Sequence, residues 1–214
     1  MRILAISDIH GSHKALKKLK ISAKKADLVI IAGDFTIFQN HIEQIMKNIN
    51  SWKKKVLLIT GNHENHNTVK RLCQNYSNIY FMNNKIMKIN NNSNTMLIYG
   101  YDTDGFNFRD KLFERDSLKF VKAIKKINQS KKAARNIRAK ESKTILISHA
   151  PVYGTKTDKV MDEHCGNKSV KEFCIKNKIN YCFCGHIHEA SHTIDRLGKT
   201  IVVNPGPYGM MFEI

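Results

Sequence analysis

Five apolar runs of strand length, each ending in polar residues of metal-ligand type, constrain this chain more than any other feature. Residues 2–7 lead into Asp8-Ile9-His10-Gly11, and Leu28–Ala32 into Gly33-Asp34. Val56–Thr60 runs into Gly61-Asn62-His63-Glu64, Thr144–Ser148 into His149-Ala150-Pro151, and Tyr181–Cys184 into Gly185-His186-Ile187-His188. Apolar runs without polar alternation read as strands covered on both faces, the kind buried inside a parallel sheet. In a continuing strand His186 and His188, two residues apart, would point to the same face, and Gly185 before them permits the run to turn into a loop.

Between these runs the period changes from strand to helix. Ser12 is placed to cap a helix that carries Ala15, Leu16 and Leu19 on one face and lysines on the other. A second helix turns Ile42, Ile45, Met46 and Ile49 inward, and a third carries Val69, Leu72 and Cys73. Repeated strand–loop–helix units indicate an α/β sheet, whose sites form at the carboxyl ends of the strands. The middle of the chain differs. Ile79–Met82, Lys85–Ile89 and Thr95–Tyr99 are short strands joined by Asn-rich turns, which predicts an antiparallel meander. A helix with Phe113, Phe120, Val121, Ile124 and Ile127 follows, then another with Val170, Phe173 and Cys174. Two last strands, Ser191–Arg196 and Thr200–Val203, precede Asn204-Pro205-Gly206-Pro207, which closes the core.

At 214 residues the chain fits one domain, spanning 1–214, that buries a core without disulfides. No apolar run reaches membrane-span length, so no membrane association is expected. An odd count of 5 Cys behind an N-terminus that reads as a first strand predicts reduced thiols and a cytoplasmic protein. The formal net charge of +18 would attract anionic substrates or nucleic acid. The lysines are scattered along the whole chain, however. The basic stretch Lys125, Lys126, Lys131, Lys132, Arg135, Arg138 and Lys140 carries no interleaved aromatics for base stacking. Solvated helix faces are the favoured reading, and nucleic acid is a partner the sequence allows without favouring.

The strand-end residues comprise two carboxylates, one carboxamide and five imidazoles, a mixed oxygen and nitrogen set suited to Mn²⁺, Fe²⁺, Zn²⁺, Co²⁺ or Ni²⁺. Eight groups exceed one tetrahedral ion and suit two, with a carboxylate bridging. Two ions about 3.5–4 Å apart clamp the attacking and departing oxygens of a phosphoryl displacement. Of the other histidines, His13, His41, His66 and His192 read as structural, and His164 as lining the substrate mouth or capping a helix. Cys182 and Cys184 read as small buried hydrophobes. Asp102, Asp104 and Arg109 sit in a loop able to approach substrate, though turn chemistry accounts for them as well.

Asp8-x-His10, Gly33-Asp34, Gly61-Asn62-His63-Glu64, His149 and Gly185-His186-x-His188 together resemble the five ordered motifs of the calcineurin-like metallophosphoesterase superfamily. The resemblance implies a four-layer αββα sandwich of two mixed β-sheets flanked by helices. It implies that Asp8, His10 and His188 hold one metal, that Asp34 bridges, and that Asn62, His149 and His186 hold the other. His63 would act on the leaving oxygen as an acid or hydrogen-bond donor, and Glu64 would orient His63. The cofactors implied are two divalent ions, Mn²⁺ first and Ni²⁺, Fe²⁺, Zn²⁺ or Co²⁺ as alternatives. Similarity to a small single-domain branch implies a phosphodiesterase for small anionic phosphoesters of aryl or cyclic-nucleotide type, hydrolysed by a metal-bridged hydroxide. A monoesterase or nuclease on the same site is the alternative. A non-catalytic scaffold would be expected to have lost ligands. Monomer and homodimer both remain open.

Overall fold

The computed structural model describes residues 1–91, 94–103, 106–133 and 142–214. The first half alternates as the apolar runs require: β1 (Arg2–Ile6), α1 (His13–Ala23), β2 (Leu28–Ala32), α2 (Ile42–Asn50), β3 (Lys55–Ile59), α3 (His66–Cys73) and β4 (Ile79–Phe81). The second half contains β5 (Lys85–Asn91), β6 (Asn94–Tyr101), α4 (Lys111–Asp116), α5 (Leu118–Ala133) and β7 (Lys143–Ser148). It continues through the short β8 (Lys159–Val160) and β9 (Glu163–His164) to α6 (Lys168–Lys176) and β10 (Tyr181–Phe183). The chain ends in β11 (Thr193–Leu197), β12 (Thr200–Asn204) and β13 (Met210–Glu213).

One sheet runs β13-β1-β2-β3-β4 and the other β11-β12-β10-β7-β6-β5. Both are mixed: parallel interiors carry an antiparallel β13 at one edge, and antiparallel β11 and β5 at the two edges of the second sheet. Side-chain alternation sorts each run into two cores. On β1, Ile3 and Ala5 join the core between the sheets, while Leu4 and Ile6 face α1–α3. On β7, Ile145 and Ile147 face the first sheet and Leu146 faces the helices on the other side. Both faces are therefore apolar, which is why the runs show no polar alternation. The result is the four-layer αββα sandwich. Cys182 and Cys184 lie in the outer core beside Phe120 and Phe173, fully buried, and behave as small hydrophobes.

The predicted meander is corrected at its first strand. Residues 79–81 do not pair back on β5; they extend the first sheet, parallel to β3 with Val56 opposite Ile79. The chain then crosses to the second sheet through Asn83-Asn84, where Asn83 Oδ1 accepts from Asp102 N and left-handed Asn84 (φ 51°) begins the β5–β6 hairpin. Asn-rich turns mark a change of direction but not which sheet receives the next strand. A second difference lies beyond Pro207. The chain does not stop at the core but returns as β13 to cover the edge of β1. The basic stretch falls partly on α5, and residues 134–141 lie outside the described residues, as does Asp104. No helix among the described residues is long and apolar enough to cross a membrane.

Candidate metal centre

The five ligand-bearing loops leave the carboxyl ends of β1, β2, β3, β7 and β10 at one end of the sandwich. Backbone bonds stitch the first two together, with Asp8 N donating to Gly33 O (3.2 Å), His10 N to Asp34 O (3.0 Å) and Gly11 N to Phe35 O (3.0 Å). Asp8, His10, Asp34 and His186 all adopt left-handed backbone, with φ of 54°, 46°, 49° and 72°. For non-glycine residues that conformation costs free energy, and such strain gathers at functional sites. At the last loop the turn works differently from the sequence expectation. The positive φ falls on His186, while Gly185 is required because a Cβ there would lie 2.7 Å from Asp8 Oδ2 and 2.8 Å from Ser7 Cβ.

The expected ligands converge. Donor atoms of Asp8, His10 and His188 lie within 4.8 Å of one another, as do those of Asp34, His149 and His186. His10 Nε2 and His188 Nε2 are 2.9 Å apart. Asn62 Oδ1 lies 3.1 Å from His149 Nε2 and 3.0 Å from His186 Nδ1. Asp34 Oδ2 sits between the two sets, 3.3 Å from His149 Nε2 and 4.0 Å from His10 Nε2. The second ring nitrogens are committed to backbone: His10 Nδ1–H donates to Thr36 O (3.2 Å) and His149 Nδ1–H to Ala32 O (2.8 Å), leaving each Nε2 turned to the centre.

Asp8 supplies the test of fit. Its Oδ1 accepts from His186 N at 3.0 Å, but Oδ2 is buried without a hydrogen-bond partner among the described residues. A buried carboxylate oxygen left unpartnered is costly unless a cation is there to meet it. Together with imidazole nitrogens facing each other rather than donors, this donor set fits divalent cations. The charges agree. Burial opposes ionisation of Asp34, yet the hydrogen bond and charge of His149 bring its carboxyl down to about 2. Burial likewise opposes a proton on His149, and Asp34 overcomes it, raising the ring to about 9. His10 and His186 are lowered, chiefly by burial. A divalent ion would take the place of the His149 proton.

His63 Nε2 lies 3.9 Å from Asp34 Oδ2, and His63 forms a third group with His10 and Asp34 whose donor atoms lie within 4.8 Å of one another. Phe38 N–H donates to its Nδ1 at 3.3 Å, so in the neutral ring the proton sits on Nε2, aimed at the centre. No hydrogen bond joins Glu64 to the His63 ring among the described residues. The Glu64 carboxylate accepts from Thr36 N (2.8 Å), Thr36 Oγ1 (2.7 Å), Asp34 N (3.1 Å) and Gly61 N (3.1 Å), tying the β2 loop to the β3 loop. Burial, then the charge on Asp34, raises its pKa to about 7.

Asn204 is a positioning residue that spacing did not single out. Its Nδ2 donates to Ile187 O at 2.8 Å, between the two histidines, and its Oδ1 accepts from Ser7 Oγ and Gly206 N. It closes an apolar run like the other site residues, which was the available signal. Phe38 had none: an exposed aromatic acting through its backbone leaves no pattern. Asp102 is more than a solvated turn residue: it bonds Thr60 and His66, joining the end of β6 to the end of β3 and the start of α3. Arg109 pairs with Glu172 at the surface. His164 Nδ1 meets buried Asp158 Oδ1 at 2.7 Å, and α6 is capped by Asn167 instead.

The family model described as calcineurin-like phosphoesterase matches residues 1–190. The chain is 34% identical over 215 residues to an uncharacterised protein of Methanocaldococcus jannaschii, covering 97% of this chain and 88% of that one. A crystal structure from Thermus thermophilus superposes with a TM-score of 0.72 at 14% identity, covering 96% of this chain and 88% of the other. The phosphopantetheinyl hydrolase of Mycobacterium tuberculosis superposes with a TM-score of 0.62 at 14% identity, covering 95% of this chain and 88% of the other.

Proposed function

The chain belongs to the calcineurin-like phosphoesterase family, whose members are metal-dependent phosphoester hydrolases, and we propose from that premise that it is a dinuclear phosphodiesterase for small anionic substrates. The observation that carries the reading is the convergence of Asp8, His10 and His188 in one group and of Asp34, His149 and His186 in a second, with Asn62 between His149 and His186 and Asp34 reaching to 4.0 Å from His10. Asp8, His10 and His188 would hold one ion and Asn62, His149 and His186 the other, with Asp34 between them. Such ions supply positive charge for phosphate oxygens and lower the pKa of water at the site.

The chain's own part is positioning and proton placement. Left-handed backbone at Asp8, His10, Asp34 and His186 turns the donors inward, and Glu64 holds the Asp34 and Gly61 loops in register. His63 presents Nε2–H beside the centre, where it donates to an oxygen of the phosphoryl group and then to the departing ester oxygen. Preference for diesters is supported by the motif resemblance and by open flanks. Phe38 and Phe106, both largely exposed, stand against His63 and His186 and offer walls to an uncharged ester group. Mn²⁺ is the first ion to test.

His63→Ala tests the assignment. Turnover on bis(p-nitrophenyl) phosphate should fall by about 10²–10⁴-fold while metal content stays at the wild-type value. Unchanged turnover would remove His63 from the reaction.

A further inference from the structure

A cavity of ≈ 300 Å³ opens beside the metal centre, with His10 and Gly11 in its wall, between the start of α1 and the face of α2. That volume lies at the lower end of small-molecule sites. We propose that this cavity is a subsite for an uncharged, planar, hydrogen-bonding portion of the substrate, of nucleobase type, a proposal that rests on the phosphoesterase reading above.

The lining dictates the class. Its floor is aliphatic, with buried Leu16 and Ile45. Its rim carries the carboxamides of Asn40, Gln44 and Asn48 and the imidazoles of His13 and His41. No carboxylate, lysine or arginine among the described residues lines it, although the chain holds 36 Lys+Arg. A second phosphate or a carboxylate would find no fixed cation there. A carboxamide offers a donor and an acceptor in one plane, the pairing that reads a base edge, and an apolar floor accepts the ring face.

The wall and the metal centre are built as one piece. The segment from Asp34 to α2 carries left-handed Phe38, Gln39 and His41, with φ of 45°, 64° and 53°. It is held by Gln39 N donating to Thr36 Oγ1, the same hydroxyl that bonds Glu64. Strain of this kind in a loop joining a candidate bridging ligand to a cavity wall marks a shaped surface rather than a slack connection.

Calorimetric titration of the Mn²⁺-loaded protein with the four common nucleoside 5′-monophosphates and with ribose 5-phosphate tests the proposal. At least one nucleotide should bind about tenfold more tightly than ribose 5-phosphate. Gln44→Glu and Asn48→Asp each replace an amide donor by an acceptor, and each should remove most of that preference. Asn48→Asp keeps the oxygen that accepts from Trp52 Nε1–H, and Gln44 is exposed, so neither change opens the core. Nucleotides binding no more tightly than ribose 5-phosphate, or a preference that survives both variants, would overturn the subsite. Preference without cleavage of bis(p-nitrophenyl) phosphate would retire the hydrolase reading and leave the subsite standing. Cleavage without preference would retire the subsite alone.

Discussion

Replacing Glu64 by Ala separates a framework role from a role in orienting His63. The carboxylate is buried and takes four hydrogen bonds, three from backbone N–H groups of Asp34, Thr36 and Gly61 and one from the Thr36 hydroxyl. The hydroxyl can turn to another acceptor; the three amides cannot. Each stranded buried donor costs about 1–3 kcal/mol, and water entering the vacated space recovers part of it, so the net loss is about 4 kcal/mol. Against a total of about 5–15 kcal/mol that loss is large. At about 2–4 °C per kcal/mol for a chain of this size, the melting midpoint should fall by roughly 10 °C. Glu64→Gln should recover more than half of this, because with its oxygen on the Asp34 and Gly61 amides its NH₂ meets one N–H donor, that of Thr36, and a hydroxyl that can turn to accept. The assay is thermal unfolding followed by circular dichroism, with metal content measured after repurification. Glu64→Ala should lose both stability and metal, whereas His63→Ala should melt within about 1 °C of wild type. A Glu64→Ala protein with normal midpoint and metal content but impaired turnover would refute the framework argument and return Glu64 to His63.

Gly61→Ala would place a Cβ 2.2 Å from Asp34 Oδ1 and 2.7 Å from His149 Nε2, so metal content should drop to background even where the protein folds; full metal occupancy would contradict the packing of these loops. In chelator-stripped protein the Asp34–His149 pair should contribute fully between pH 3.8 and 6.5, the ordinary values of its members. Above 6.5 the contribution declines until His149 deprotonates near 9, and below 3.8 it is lost as Asp34 approaches protonation near 2. Glu64, raised from 4.5 to about 7, contributes fully below pH 4.5 and loses its contribution between pH 4.5 and 7, so its decline precedes that of the pair. Urea midpoints should therefore fall between roughly pH 6 and pH 9.5, and fall less in His149→Gln; a flat profile would sink the ion pair.

Much of this architecture was legible because burial on both faces leaves an apolar run and a strand end leaves a polar one. The run Leu28–Ala32 announces both a central parallel strand and, through Asp34, a site. Periodicity placed α1 and α2 well, and Ser12 caps α1 with its Oγ accepting from Ala15 N at 3.2 Å. What stayed hidden depends on long-range partners. Residues 79–81 look alike whether they pair with β3 or with β5, and only the crossover decides. Glu64 next to His63 suggests a local partnership, yet its bonds run to the β2 loop 28 and 30 residues away. Phe38 acts through a backbone amide, which side-chain identity does not encode. The cavity beside His10 is assembled from two helices and a strained turn, none of which carries a motif.

If seven side chains hold two divalent ions and hydrolyse a phosphodiester with them, metal stoichiometry and turnover must rise together. Chelator-stripped protein should be titrated with Mn²⁺ while cleavage of bis(p-nitrophenyl) phosphate is followed. Two ions predict silence at zero metal, activity that rises to a break at about two equivalents per chain, and slower cleavage of the matching monoester. Full activity in the stripped protein, or none with Mn²⁺, Ni²⁺, Fe²⁺, Zn²⁺ or Co²⁺ at saturation, would contradict it.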